Sequence, residues 1–183
     1  RFPEENRVGI FPSISVAWDI DSEKFFNVAW VNNLKFKAGY GEVGNQNIDR
    51  NSQFFAIGAG NYVFNGQRVE TNYLSQFGNP TLKWETVKDF NLGLNGNLFN
   101  NTIDFSVERY RKTSEDLLFN VELPRFTGAP SLVAKNVGSF QSEGWDFQLS
   151  YNKTFKNDIK FSVNITASTN ESIAKKLAPG NDE

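Results

Sequence analysis

Trp145-Asp146-Phe147-Gln148-Leu149-Ser150-Tyr151-Asn152 and, a short distance on, Ile159-Lys160-Phe161-Ser162-Val163-Asn164-Ile165-Thr166-Ala167-Ser168 alternate apolar and polar residues without a break. Successive side chains of a strand point to opposite faces, so a period of two describes a hairpin with one face toward an apolar medium and the other toward water. About ten residues per strand is also the length a tilted strand needs to cross a bilayer. Two arrangements satisfy the pattern: a sandwich whose apolar faces meet, and a barrel whose apolar face meets lipid.

Composition narrows the choice. The 183 residues suffice for one domain and include no run of 18 or more apolar residues, which excludes a transmembrane helix. Mean hydropathy is −0.48, the average a lipid-facing barrel would also give, because its inward half is polar. Eighteen Phe, five Tyr and four Trp are heavy for a water-soluble domain and ordinary for strands that end in aromatic girdles. Lys and Arg number 19 against 21 Asp and Glu, with no basic cluster, so nucleic acid is not an expected partner. The chain has no Cys and no His, which removes disulfides, thiolate metal sites, and the commonest metal ligand and general base; no metal or cofactor is expected. It opens abruptly on Arg1-Phe2-Pro3, without Met or a signal-like segment, and reads as a piece of a longer polypeptide.

Working back toward the amino terminus, Ile10, Ile14, Val16, Trp18 and Ile20 share one strand face, with Ser13, Ser15, Ala17 and Asp19 on the other. Asp21-Ser22 is placed to cap a short connecting helix over residues 23–30, closed by Asn32-Asn33. A second strand sets Leu34, Phe36, Ala38 and Tyr40 against Lys35, Lys37, Gly39 and Gly41. From 42 to 83 the alternation fades, and that length predicts a functional loop with short strands of its own. A third strand runs from Trp84 to Phe99, with Phe90, Leu92, Leu94 and Leu98 outward and Glu85, Asp89, Asn91, Asn95 and Asn97 inward.

Asn100-Asn101 then supplies two residues that tolerate positive φ, as a two-residue type I′ turn requires. That turn sets Leu98 opposite Ile103, Gly96 opposite Phe105, Leu94 opposite Val107 and Leu92 opposite Arg109, so the apolar faces coincide; a slip of one residue would destroy the match. The same test on the later hairpin rejects a two-residue loop and accepts Phe155 opposite Ile159 across Lys156-Asn157-Asp158. A second irregular stretch, 119–134, contains Pro124, Gly128 and Pro130. Short turns therefore lie at one end of the strands and long loops at the other. Outer-membrane barrels segregate their connections in this way, with the long loops extracellular, and a sandwich has no reason to.

Several motifs have plain structural explanations. Gly39-Tyr40-Gly41-Glu42-Val43-Gly44 matches G-x-G-x-x-G, but Asn45-Gln46-Asn47-Ile48-Asp49-Arg50-Asn51 is a poor helix, so a strand-end bend with positive φ is expected instead of a nucleotide site. Without His or Cys, catalysis would have to rest on carboxylates such as Glu85 and Asp89, and inward acids are expected wherever a lumen is wet. The sequons at Asn152, Asn164 and Asn170 lie in or beside strands and read as polar lumen residues. Phe54, Phe55, Tyr62, Phe64, Tyr73, Phe77 and Phe126, in the long loops, are the candidate substrate or partner contacts, since flat rings suit sugars or peptides.

The chain also resembles the SusC/RagA-type TonB-dependent transporters. The resemblance rests on Arg7-Val8-Gly9-Ile10-Phe11-Pro12-Ser13-Ile14-Ser15-Val16-Ala17-Trp18, on residues 33–46 ending Gly41-Glu42-Val43-Gly44-Asn45-Gln46, and on Asn79-Pro80-Thr81-Leu82-Lys83-Trp84-Glu85-Thr86. It continues in Leu98-Phe99-Asn100-Asn101, Asp116-Leu117-Leu118, Asn136-Val137-Gly138-Ser139 and Glu143-Gly144. It implies an all-β, transmembrane antiparallel β-barrel of about 22 strands with a plugged lumen. Residues 1–183 would form a partial outer-membrane barrel domain of about six consecutive strands, without the plug, the TonB-engaging segment or the closing strands. It further implies a bacterial outer-membrane importer of oligosaccharides or peptides, with TonB and a SusD-like surface lipoprotein as partners and no enzymatic activity. The conserved blocks are expected to be structural. A secreted carbohydrate-binding β-sandwich and a passive porin remain the competing readings.

Overall fold

The computed structural model describes residues 2–124, 126, 132–156 and 159–176. Its strands are β1 (Ser13–Asp19), β2 (Val31–Asn45), β3 (Ala56–Phe64), β4 (Gln67–Gln76), β5 (Glu85–Leu98), β6 (Ile103–Glu115), β7 (Leu118–Glu122), β8 (Leu132–Asn136), β9 (Ser139–Thr154) and β10 (Lys160–Lys176). Six of them form one antiparallel sheet in the order β1-β2-β5-β6-β9-β10, while β3-β4 and β7-β8 are separate two-stranded hairpins inside the two long connections. The sheet therefore follows chain order, the signature of an up-and-down wall.

The two registers expected from sequence are the ones observed. Leu98 faces Ile103 and Leu94 faces Val107; Val163 faces Tyr151, and the Phe155 N–H donates to Ile159 O at 2.9 Å. Asn100 and Asn101 have φ of 55° and 59°, as the type I′ turn demands, and Phe99 joins them at 54°.

Pairing carries one apolar face across all six strands. Trp18, Phe36, Leu94, Val107, Phe147 and Ala167 form a continuous cross-strand row. The neighbouring row toward the short turns contains Leu34, Gly96, Phe105, Leu149 and Ile165. No second sheet covers this face among the described residues: Leu149 is 45% exposed and Ile165 58%. The competing sandwich would have buried both.

Aromatic rings border the band. Trp30 stacks on Phe99 at 5.5 Å near the turns. Toward the loops Tyr40 pairs with Phe90, and the Arg109 guanidinium lies 5.3 Å from the Trp145 ring. In the row of Tyr40 and Phe90, charge takes over on the later strands, with Arg111 Nε 2.7 Å from Glu143 Oε2. A lipid-facing surface ends in this way, apolar first, then aromatic, then charged.

Three local expectations are corrected. No α-helix covers 23–30; a 3₁₀ turn at Ile20–Ser22 is followed by open turns. Asp21 Oδ1 is engaged by the Leu34 N–H at 2.9 Å and by Asn33 Nδ2 at 3.1 Å, so the side chain expected to cap a helix pins the start of β2 instead. The second strand does not stop at Gly41 but runs to Asn45, and none of Gly39, Gly41 and Gly44 has a positive φ. Gly44 is glycine for another reason: the Phe11 ring occupies the space its Cβ would need. The short strands expected within 42–83 are present, and the second long connection holds strands as well. The first contains strands of nine and ten residues, and the stretch 119–134 lies largely within the β7-β8 hairpin, of which 125 and 127–131 fall outside the described residues.

Candidate functional site

On the polar face of the sheet, side chains answer one another from strand to strand. Lys35 Nζ lies 3.0 Å from Asp19 Oδ1, and Asn95 donates to Ser106 Oγ at 3.1 Å. Asn97 donates to Asp104 Oδ1, whose other oxygen accepts from Asn152 at 3.0 Å. Asn152 in turn accepts from Ser162 at 2.7 Å. Asn170, the asparagine of one sequon, accepts from Ser142 Oγ at 2.7 Å and Tyr110 Oη at 3.3 Å. This is the chemistry of a hydrated wall, held by short polar side chains that leave the space in front of it open.

At the loop end, three separated sequence blocks converge. The Asn136 carboxamide accepts from Lys83 N at 2.9 Å and donates to Lys83 O at 2.8 Å and Asp116 O at 2.9 Å. Lys83 Nζ reaches Asp116 Oδ2 at 2.6 Å, and Glu85 Oε2 accepts the Leu118 N–H at 3.1 Å. Asp116 (φ 54°) and Gly138 (φ 79°) kink both strands where β6-β9 passes into β7-β8. Beside the kink sit Phe2, Leu82 and Ala134, the main apolar cluster of the described chain, with Leu82 fully buried and Trp84 packed against it. Glu85, a candidate carboxylate on sequence grounds, is thus occupied in holding backbone.

The loop aromatics fall into separate groups. Tyr62, Phe64 and Tyr73 share one face of the β3-β4 hairpin, since the pairs Gly58–Tyr73, Gly60–Thr71, Tyr62–Val69 and Phe64–Gln67 lie directly across from one another. Phe55 packs on Phe77 at 5.5 Å at the hairpin base. Phe77 also lines a cavity of about 580 Å³ with Asn79, Lys83, Asp116, Lys135 and Asn136. Phe54 is exposed and near the same base, where Gln76 Nε2 donates to its carbonyl at 3.2 Å. Phe126 is 91% exposed, and no described contact joins it to the others.

The model of the TonB dependent receptor-like β-barrel family matches residues 2–182. The chain belongs to this family. Among named relatives, the chain is 31% identical over its full length to TonB-dependent receptor P3 of Formosa agariphila, of which it covers 18%. It is 29% identical over its full length to TonB-dependent receptor SusC of Bacteroides thetaiotaomicron, covering 19% of that protein. Among solved structures, the RagAB peptide importer in its closed-closed state superposes with a TM-score of 0.83 at 29% identity, over 98% of this chain and 20% of that one. The open-open state of the same importer gives 0.82. The chain thus spans about a fifth of the length of the relatives it matches. Its six-stranded sheet is an arc of a TonB-dependent receptor barrel, so its apolar face is the lipid side and its polar face the lumen side.

Within this family frame, the blocks Asn79-Pro80-Thr81-Leu82-Lys83-Trp84-Glu85, Asp116-Leu117-Leu118 and Asn136-Val137-Gly138-Ser139 act as one clasp at the loop end. Sequence reasoning marked each block as structural and could not join them, because hydrogen-bond partners more than 50 residues apart leave no periodic signal. It also missed Val69, Thr71 and Gln67, which share a face with the hairpin aromatics. Period-two alternation around Tyr73 was the available clue.

Proposed function

We propose that this chain is wall and extracellular loops of a TonB-dependent importer of oligosaccharides or peptides in the bacterial outer membrane, with a SusD-like surface lipoprotein over its mouth. The observation that carries the reading is the asymmetry of the wall: an uninterrupted apolar row on all six strands, backed by a hydrated face and ending at one side in two built hairpins. Passive pores share the first two features. Family membership and the likeness to the RagAB importer favour energised transport.

No catalytic step is assigned to the chain. Asp89, Asn91 and Asn95 would line the space beside a plug, and the hairpins within 42–83 and 119–134 would meet substrate and lid. The test is uptake by the full-length protein in cells with and without TonB. Loss of uptake without TonB, with the barrel still inserted, supports the importer; undiminished uptake would leave a passive pore.

A further inference from the structure

We infer that the β3-β4 hairpin carries a binding platform for a neutral oligosaccharide, centred on the Tyr73 ring. The inference rests on the importer reading and narrows it to one substrate class and one surface. Among the described residues the hairpin pairs with no other strand at either edge, and its two faces differ in chemistry. One face sets Ile57, Ala59, Asn61 and Val63 against Leu74, Asn72, Glu70 and Arg68, and holds both charged residues of the paired strands, Arg68 and Glu70. The other sets Gly58, Gly60, Tyr62 and Phe64 against Tyr73, Thr71, Val69 and Gln67, without an Asp, Glu, Lys or Arg.

The Tyr73 ring reaches across to β3. A Cβ on Gly58 would sit 2.8 Å from its Cζ and 3.0 Å from its Oη, and a Cβ on Gly60 would sit 3.4 Å from its Cε1. The phenol therefore extends across the backbone of β3, over two positions that carry no side chain. It occupies space that side chains at those two positions would need, and the residue as a whole is 55% exposed. A side chain at Gly58 would displace the ring. The Thr71 hydroxyl flanks it, 3.6 Å from the Cβ position of Gly60. Tyr62 and Phe64, 65% and 70% exposed, recur on the same face about 6–7 Å apart along the strand.

A pyranose offers an apolar C–H face to such a ring and hydroxyls around its rim to Thr and Tyr oxygens, and a linked series of them can meet successive rings. A peptide carries charges at its termini and in many side chains, for which this face has no counterion. Tyrosine covering glycine also stabilises a hairpin by itself, so the test must separate ligand binding from packing.

Detergent-solubilised full-length protein would be titrated against a set of neutral hexasaccharides (α-1,4- and β-1,3-glucan, β-1,4-xylan and β-1,4-mannan oligomers) and a mixture of neutral and charged peptides. Binding of at least one hexasaccharide, weakened tenfold or more by Tyr73→Ala and threefold or less by Tyr73→Phe, is the expected result. Val63→Ala, on the opposite face, serves as the control and should change nothing. The proposal is overturned if no hexasaccharide binds, if binding is indifferent to both Tyr73→Ala and Tyr62→Ala, or if peptides alone bind. TonB-dependent uptake of a peptide, with no saccharide bound, would sink the platform and leave the importer standing.

Discussion

Asn136 supplies Lys83 with both hydrogen bonds that a neighbouring strand would give it: its carboxamide accepts the Lys83 N–H at 2.9 Å and donates to the Lys83 carbonyl at 2.8 Å. The remaining amide hydrogen goes to the Asp116 carbonyl at 2.9 Å. One side chain thereby joins the lead-in to β5 with the kink above β6. Few other side chains could, because the task needs an acceptor and two donors in one plane.

Asn136→Leu should therefore free three backbone groups at once. With water able to reach part of this site, the cost should be about 1–3 kcal/mol. Hydrogen exchange of the full-length protein provides the measurement. Amides of β7 and β8 should exchange faster while those of β5, β6 and β9 keep their protection. Unchanged exchange above the kink would mean that the Lys83–Asp116 ion pair and the Leu82 cluster hold it without Asn136.

Leu94 and Asn95 are sequence neighbours on opposite faces, and their tolerance of charge should differ sharply. Leu94 lies in the row with Phe36 and Val107, whereas Asn95 donates to Ser106 on the wet side. Arginine in place of Leu94 should cost about 2–4 kcal/mol near the bilayer midplane. Asn95→Arg should cost far less. Equal folding yields of the two variants in lipid vesicles would contradict the assignment of faces.

Glycines on the lumen face offer a second contrast. A Cβ on Gly144 would run into the Thr169 carbonyl on β10 and lie 2.7 Å from Tyr110 Oη, while a Cβ on Gly39 would meet nothing within 4 Å. Gly144→Ala should lose about 1–3 kcal/mol to overpacking, since a strand backbone cannot give way cheaply. Gly39→Ala should be close to neutral. Thermal melting of both variants in detergent would check the pair, and a Gly144→Ala protein as stable as the parent would show that β9 and β10 can separate there.

These contrasts mark what the sequence could and could not reveal. Alternation made Leu94 and Asn95 legible, and turn chemistry at Asn100-Asn101 fixed their partners, because both signals are local. Gly144 and Gly44 were illegible for the opposite reason: what excludes a side chain at Gly44 is the ring of Phe11, some thirty positions away along the chain. Asp21 misled because a cap and a strand pin use the same carboxylate, and only tertiary context chose Leu34 N–H as its partner. The loop aromatics were visible one by one, but Tyr62, Phe64 and Tyr73 became a surface only through the β3-β4 register.

Residues 1–183 expressed alone should not yield a stable monomer. Buried apolar side chains among the described residues are limited to Phe2, Leu82, Val133 and Ala134, all near the loop-end clasp, so the six-stranded sheet has no core of its own. Its apolar face expects lipid, and its two edge strands, β1 and β10, leave rows of N–H and C=O groups unpaired. Lipid cannot satisfy those edges, and in water they template aggregation. The 17-residue β10 is the greater hazard, because Val163, Ile165 and Ile173 lie along the strand beside its open edge. Size-exclusion chromatography and thermal denaturation of the isolated segment in plain buffer would test this. Aggregates or a broad, uncooperative transition are expected, and a monomer with a sharp, reversible melt would require a core that this sheet does not contain.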